Sequence, residues 1–106
     1  MPAAARANSV DSVASPDGTG DQCLLPTTQS TDTGSTNVII NGNGALRKGV
    51  DTVIPHPGPG CGTHAPVLSS GSGNVFVNGK GAGRKTDSYN GHVITSGSGN
   101  VFINGG

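Results

Sequence analysis

The residues best equipped for chemistry lie in a short proline- and glycine-rich stretch. Residues 53–67 read VIPHPGPGCGTHAPV and place His56, Cys61 and His64 within nine residues, between residue types that hold the backbone in tight, stiff bends. Imidazole nitrogen and thiolate sulfur are ligands that zinc takes in a tetrahedron, and a site closed by four protein ligands is structural rather than catalytic. His92, in SYNGHVIT at 88–95, supplies the fourth ligand. Cys23 is the rival ligand, able to replace His56 or Cys61; otherwise it is a buried thiol beside Leu24 and Leu25. A Cys23–Cys61 disulfide would need an oxidising compartment, and no secretion signal precedes these residues, so metal ligation is the default expectation for the thiols.

The same inventory excludes other chemistry. All six acids are Asp, and none is next to a His in sequence. No acid–base or nucleophile–base constellation results, and the expectation is a protein that is not an enzyme. The stretches GSGNVFVNG and GKGAGRK are glycine-rich, but neither matches a P-loop or a dinucleotide fingerprint. Lys80, Arg84 and Lys85 form a small basic cluster without aromatic residues for base stacking. With six Lys and Arg balancing six Asp, no nucleic-acid partner is expected.

These residues have to be positioned by a chain of unusual composition. Its 106 residues include 19 Gly and 7 Pro, which excludes a helical bundle, and its 31% hydrophobic content, with no Trp, predicts a thin core. Ser, Thr and Asn favour turns over helices, so the expected fold class is all-β. One block recurs as TGSTNVIING at 33–42, SGSGNVFVNG at 70–79 and SGSGNVFING at 96–105. In each, β-branched or aromatic residues run into Asn-Gly, the preferred pair of a type I′ hairpin turn. A second signature joins small residues to an Arg and a following Asp: Arg6 and Asp11, Arg47 and Asp51, Arg84 and Asp87. These predict either ion pairs linking neighbouring units or solvated charges. The chain thus reads as a single domain, 1–106, with repeat units of about 2–42, 43–79 and 80–106, whose opening segment can complete the cycle beside the closing strand. Three intervening segments, 12–32, 52–69 and 88–95, read as loops and carry every His. The N-terminus lacks the apolar run of a signal peptide, and no stretch approaches the roughly 20 residues of a membrane span. Synthesis in the cytoplasm is expected.

At this level the chain resembles the PAAR-repeat proteins, the sharpened tips of contractile phage tails and type VI secretion spikes. PAAAR at 2–6 is close to the name-giving motif; GALR at 44–47 and GAGR at 81–84 keep the small residues and the Arg but lose the Pro. The resemblance covers nearly the whole chain. It implies a small cone of short strands with pseudo-threefold symmetry, seated on a homotrimeric β-helical spike at one copy per trimer, with Val38, Ile40, Val75, Val77, Val101 and Ile103 of the repeats at the contact. It further implies an apex pinned by one zinc ion, or by iron, on three His and one Cys; residue by residue these are His56, Cys61, His64 and His92. The implied role is to cap the spike and pierce the target cell envelope, from a virion tail or a secreted spike. The alternative is an adaptor that docks a separate effector toxin, against which the bare length of the chain argues mildly.

Overall fold

In the computed structural model, residues 1–104 are described; Gly105, the last residue of the third repeated block, and Gly106 lie outside the described residues. Its regular structure is almost wholly β, as the composition leads one to expect: β1 (Ser12–Thr19), β2 (Leu25–Ser30), β3 (Ile39–Ile40), β4 (Asn43–Gly44), β5 (His56–Pro57), β6 (Thr63–His64), β7 (Phe76–Val77), β8 (Lys80–Gly81), β9 (Ser88–Tyr89) and β10 (His92–Ile94). Short 3-10 turns at Asp21–Cys23 and Pro59–Cys61 are the only helical pieces among the described residues. One sheet has four antiparallel strands in the order β2-β1-β10-β9, and β3-β4, β5-β6 and β7-β8 are separate hairpins.

The Asn-Gly pairs act as their chemistry dictates. Asn41 and Gly42, at φ 52° and 84°, join β3 to β4, and Asn78 and Gly79, at 51° and 80°, join β7 to β8. Two successive positive φ values are what a type I′ turn demands. Ahead of each turn a Ser fixes the strand entry: Ser35, Ser72 and Ser98 each accept the backbone N–H two residues on, at 3.2 Å, and the one three residues on, at 2.9–3.0 Å.

The opening segment lies beside the closing strand. Ala45 receives from Ser35 N–H and donates to Val38 C=O; Ala82 does the same with Ser72 and Val75, and Ala4 with Ser98 and Val101. The three small-residue segments also bridge one another in a closed circuit, Arg6 to Ala45, Arg47 to Ala82, and Arg84 to Ala4. Alanine suits these positions because the backbones approach closely. Two core clusters follow: Ala4, Ala45, Ala82, Val77 and Ile103 in one, and Ala5, Ala7, Val13, Leu46, Val53, Leu68, Tyr89 and Ile94 in the other. The Tyr89 hydroxyl is a buried polar atom with no hydrogen-bond partner among the described residues. Burial, reinforced by the charges of Asp51, Asp11 and Asp32, drives its pKa up.

The Arg–Asp pairs form inside each segment instead of linking units. Every Asp is buried, and takes Nε, Nη2 and the backbone N–H of its own Arg: Asp11 from Arg6, Asp51 from Arg47, Asp87 from Arg84. They are structural ion pairs, not solvated charges.

Of the residues expected at a partner contact, Val77 and Ile103 are buried in the core, Ile40, Val75 and Val101 pack against it, and Val38 is exposed. The period-two alternation of a strand turns the intervening residues outward, and Ile39, Phe76 and Phe102 are each more than half exposed.

Candidate metal centre

The segments read as loops carry strands at the residues that build the site, and this is what aims it. Residues 12–32 form the β1–β2 hairpin, the longest pair in the molecule. Along β1 the buried face carries Val13, Ser15 and Asp17 in alternation, so the period that buries Val13 also turns Asp17 inward. His56 and His64 stand directly opposite each other on β5 and β6. His92 opens β10 just after a further Asn-Gly turn, Asn90–Gly91, that pairs it with Tyr89. No histidine lies in an irregular loop.

Four side chains converge. His56 Nε2 lies 3.0 Å from His64 Nε2, 3.2 Å from His92 Nε2 and 3.0 Å from Asp17 Oδ1, and that oxygen is 3.3 Å from the Nε2 atoms of both His64 and His92. Asp17, His56 and His92 are buried, while His64 is partly open to solvent. All four ligand atoms fall within 4.8 Å of one another.

The hydrogen bonds behind the rings decide what these atoms offer. His56 Nδ1 is 2.7 Å from the Ile54 carbonyl and His92 Nδ1 is 3.1 Å from the Tyr89 carbonyl. A carbonyl only accepts, so each Nδ1 carries the proton, and in the neutral ring each Nε2 presents a lone pair. Two lone pairs and a carboxylate oxygen therefore face one another at contact distance, an arrangement that repels itself unless a cation sits among them. A tetrahedral ion about 2.0–2.1 Å from each ligand sets ligand atoms roughly 3.3 Å apart, close to the five separations just given. The donor set fits a metal ion, and the cluster of Asp17, His56, His64 and His92 can hold one.

Asp17 is tuned for the charged form. Its burial works to raise the pKa, but the Ser15 hydroxyl and, whenever their Nε2 atoms carry protons, the His64 and His92 rings outweigh it and hold the carboxyl below its ordinary range. The single Ser15 hydroxyl proton is shared between Asp17 Oδ1 at 3.0 Å and the Asp17 carbonyl at 2.7 Å.

The expected cysteine ligand is corrected. Cys61 is absent from the cluster because its sulfur is bonded to Cys23, at 2.00 Å, and a disulfide sulfur has no thiolate charge to give a metal. Cys23 is excluded as the rival ligand for the same reason. The expectation that Cys61 serves a metal rested on spacing, compartment and the family resemblance; the fold instead brings the Cα atoms of Cys23 and Cys61 to 5.1 Å. Asp17 takes the vacated place. Residues 12–32 read as a loop and so hide it: Pro16 and Gly18 flank Asp17 and weaken a strand signal, although the alternation from Val13 to Asp17 is present in the sequence.

Gly58 shapes the pocket for His64: a Cβ at this position would come within 2.9–3.0 Å of three atoms of the His64 ring. Gly58→Ala must displace the imidazole. Zinc affinity is expected to fall about 10–100-fold, the range for disturbed support of a metal ligand, with the fold retained. Competition against a chromophoric chelator measures it.

The chain matches no known protein-family model, and no curated protein sequence is similar to it. No helix among the described residues is long and apolar enough to cross a membrane.

Proposed function

We propose that the protein is a spike tip of the PAAR-repeat kind, a small metal-pinned point that caps a homotrimeric β-helical spike at one copy per trimer and leads it through a target envelope. The observation that carries this reading is the closed circuit of backbone pairing in which Arg6, Arg47 and Arg84 each bridge an alanine of another segment. One chain arranged in this way can offer three similar edges to three identical subunits. The exposed Ile39, Phe76 and Phe102, one at the same place in each repeated block, supply the apolar part of that contact.

The metal is zinc in this reading, with iron as the alternative. Held by Asp17, His56, His64 and His92, it ties β1, the β5–β6 hairpin and β10 into one unit. Four protein ligands leave a tetrahedral ion no open position, so its contribution is rigidity, and the role is mechanical rather than enzymatic. A virion tail or a secreted spike is the setting.

Mixing the protein with a trimeric β-helical spike should yield a complex of three spike chains to one tip by sedimentation, and Phe76→Asp with Phe102→Asp should abolish it while the tip stays folded. A stable self-trimer of this chain, or a three-to-three complex, would contradict the geometry. In infection or secretion assays, loss of the protein should leave spikes that assemble but deliver poorly.

A further inference from the structure

The β5–β6 hairpin carries two of the four metal-binding side chains and is held to the rest of the molecule at its root. Thr31 bridges Val53, and Ile54 N–H donates to Ser30 C=O at 2.9 Å. Beyond that root, and among the described residues, its backbone pairs only within the hairpin, over two residue pairs. Its outer turn is closed by local bonds alone, Gly58 N–H to Gly62 C=O and Cys61 N–H to Gly58 C=O. The turn that follows β1 is likewise internal, with Cys23 N–H donating to Gly20 C=O and Leu24 N–H to Asp21 C=O. Among the described residues no backbone hydrogen bond crosses between the two turns; the Cys23–Cys61 bond does. A short two-stranded hairpin is marginal on its own in water.

We propose that the Cys23–Cys61 disulfide is a redox latch on the metal centre: once formed, it holds the hairpin bearing His56 and His64 against the strand bearing Asp17, so that the oxidised chain binds the ion more tightly than the dithiol. The inference rests on the metal-binding reading of the cluster. Ligand atoms already gathered lose less freedom on binding, and the cross-link supplies that gathering before the metal arrives. The coupling is reciprocal, so a bound ion must make the disulfide harder to reduce by the same factor.

A small disulfide of the oxidised-glutathione class suffices as oxidant. Cys61 is exposed and Cys23 nearly buried, so the Cys61 thiol, having given its proton to water, attacks one sulfur of the small disulfide and expels the other as a thiolate. The deprotonated Cys23 then attacks the Cys61 sulfur of the mixed disulfide and expels the second small thiolate. Two electrons pass from the cysteine pair to the small disulfide.

The test compares zinc affinity, by competition with a chromophoric chelator, for the oxidised protein, the phosphine-reduced protein and Cys23→Ser/Cys61→Ser. The latch predicts a loss of about tenfold or more in both dithiol-type forms, within the usual range of coupling between sites. Glutathione redox buffers should then show the reduction potential falling by about 30 mV per tenfold when zinc is added. Equal affinities with zinc still bound would overturn the latch and leave the metal reading standing. Failure of all three forms to bind zinc would overturn both. Cobalt(II) provides a second readout: a thiolate charge-transfer band in the reduced protein would mean that a freed cysteine joins the ligands, and would also overturn the latch.

Discussion

Removing the metal with a chelator is expected to lower the melting temperature by more than about 20 °C, the shift that a loss of a few kcal/mol produces in a domain of this size. Structural zinc contributes roughly 10–16 kcal/mol in small domains near neutral pH, comparable to the whole stability of an ordinary domain at about 5–15 kcal/mol. The core is in no position to replace it, since several of its fully buried members are alanines. What remains after chelation is the Cys23–Cys61 cross-link and the three Arg–Asp pairs, so the metal-free chain keeps the end built on Ala4, Ala45 and Ala82 better than it keeps β5–β6. On the zinc reading proposed above, elemental analysis should find about one ion per chain, the number that one four-ligand cluster can hold. His64→Ala/His92→Ala should melt like the chelated protein and respond to chelator no further. Acid acts in the same direction. The Asp17 carboxyl, held below its ordinary range, contributes stability above the unfolded carboxylate pKa, and this is lost as the pH falls through its lowered folded value. Protein purified without chelator that contains no metal, or a melting temperature indifferent to chelation, would sink the metal-pinned account.

What the sequence made legible divides along physical lines. The repeated blocks could be read because Asn-Gly is a local code: it sets two positive φ values without help from the rest of the chain, and β3–β4 and β7–β8 turn at Asn41–Gly42 and Asn78–Gly79. The same code at Asn90–Gly91 places His92 on a strand, a signal that the sequence carries beside the histidine. The histidine trio was legible from residue type and spacing. Its partner was not, because Asp17 reaches the histidines through the pairing of β1 with β10, Val13 opposite Ile94, a contact between residues some eighty positions apart. The strand that carries it also resists recognition: Ser15 and Asp17 are polar residues on a buried face, tolerable only because each finds hydrogen-bond partners there. The disulfide escaped for another reason. A compartment argument fixes whether thiols are oxidised on average, whereas the distance between two particular thiols is set by the fold.

The buried Arg–Asp pairs give the second large effect, and their three environments rank it. Arg47→Met should cost about 3–5 kcal/mol, the range for breaking a buried ion pair from one side. Asp51 is almost wholly shielded and takes Arg47 Nε at 2.9 Å, Nη2 at 2.9 Å and the backbone N–H at 2.8 Å. Without the guanidinium that carboxylate keeps the backbone N–H alone. Arg47 Nη2 also reaches the Gly34 carbonyl at 3.3 Å, so the first repeated block loses a tie as well. The other two acids are better insured: Asp11 also accepts from Ser96 Oγ at 2.9 Å and Asp87 from Ser70 Oγ at 3.1 Å. Arg6→Met should therefore cost less than Arg47→Met. Arg47→Met/Asp51→Asn separates charge from shape, because the amide oxygen can still accept the backbone N–H at position 47 while the stranded charge is gone; it should recover more than half of the loss. Urea titrations of the four proteins measure all of this from the transition midpoints at constant slope. A loss below about 1 kcal/mol for Arg47→Met, the size expected of an exposed pair, would show Asp51 to be solvated in solution and the pairs to be ornaments of the surface.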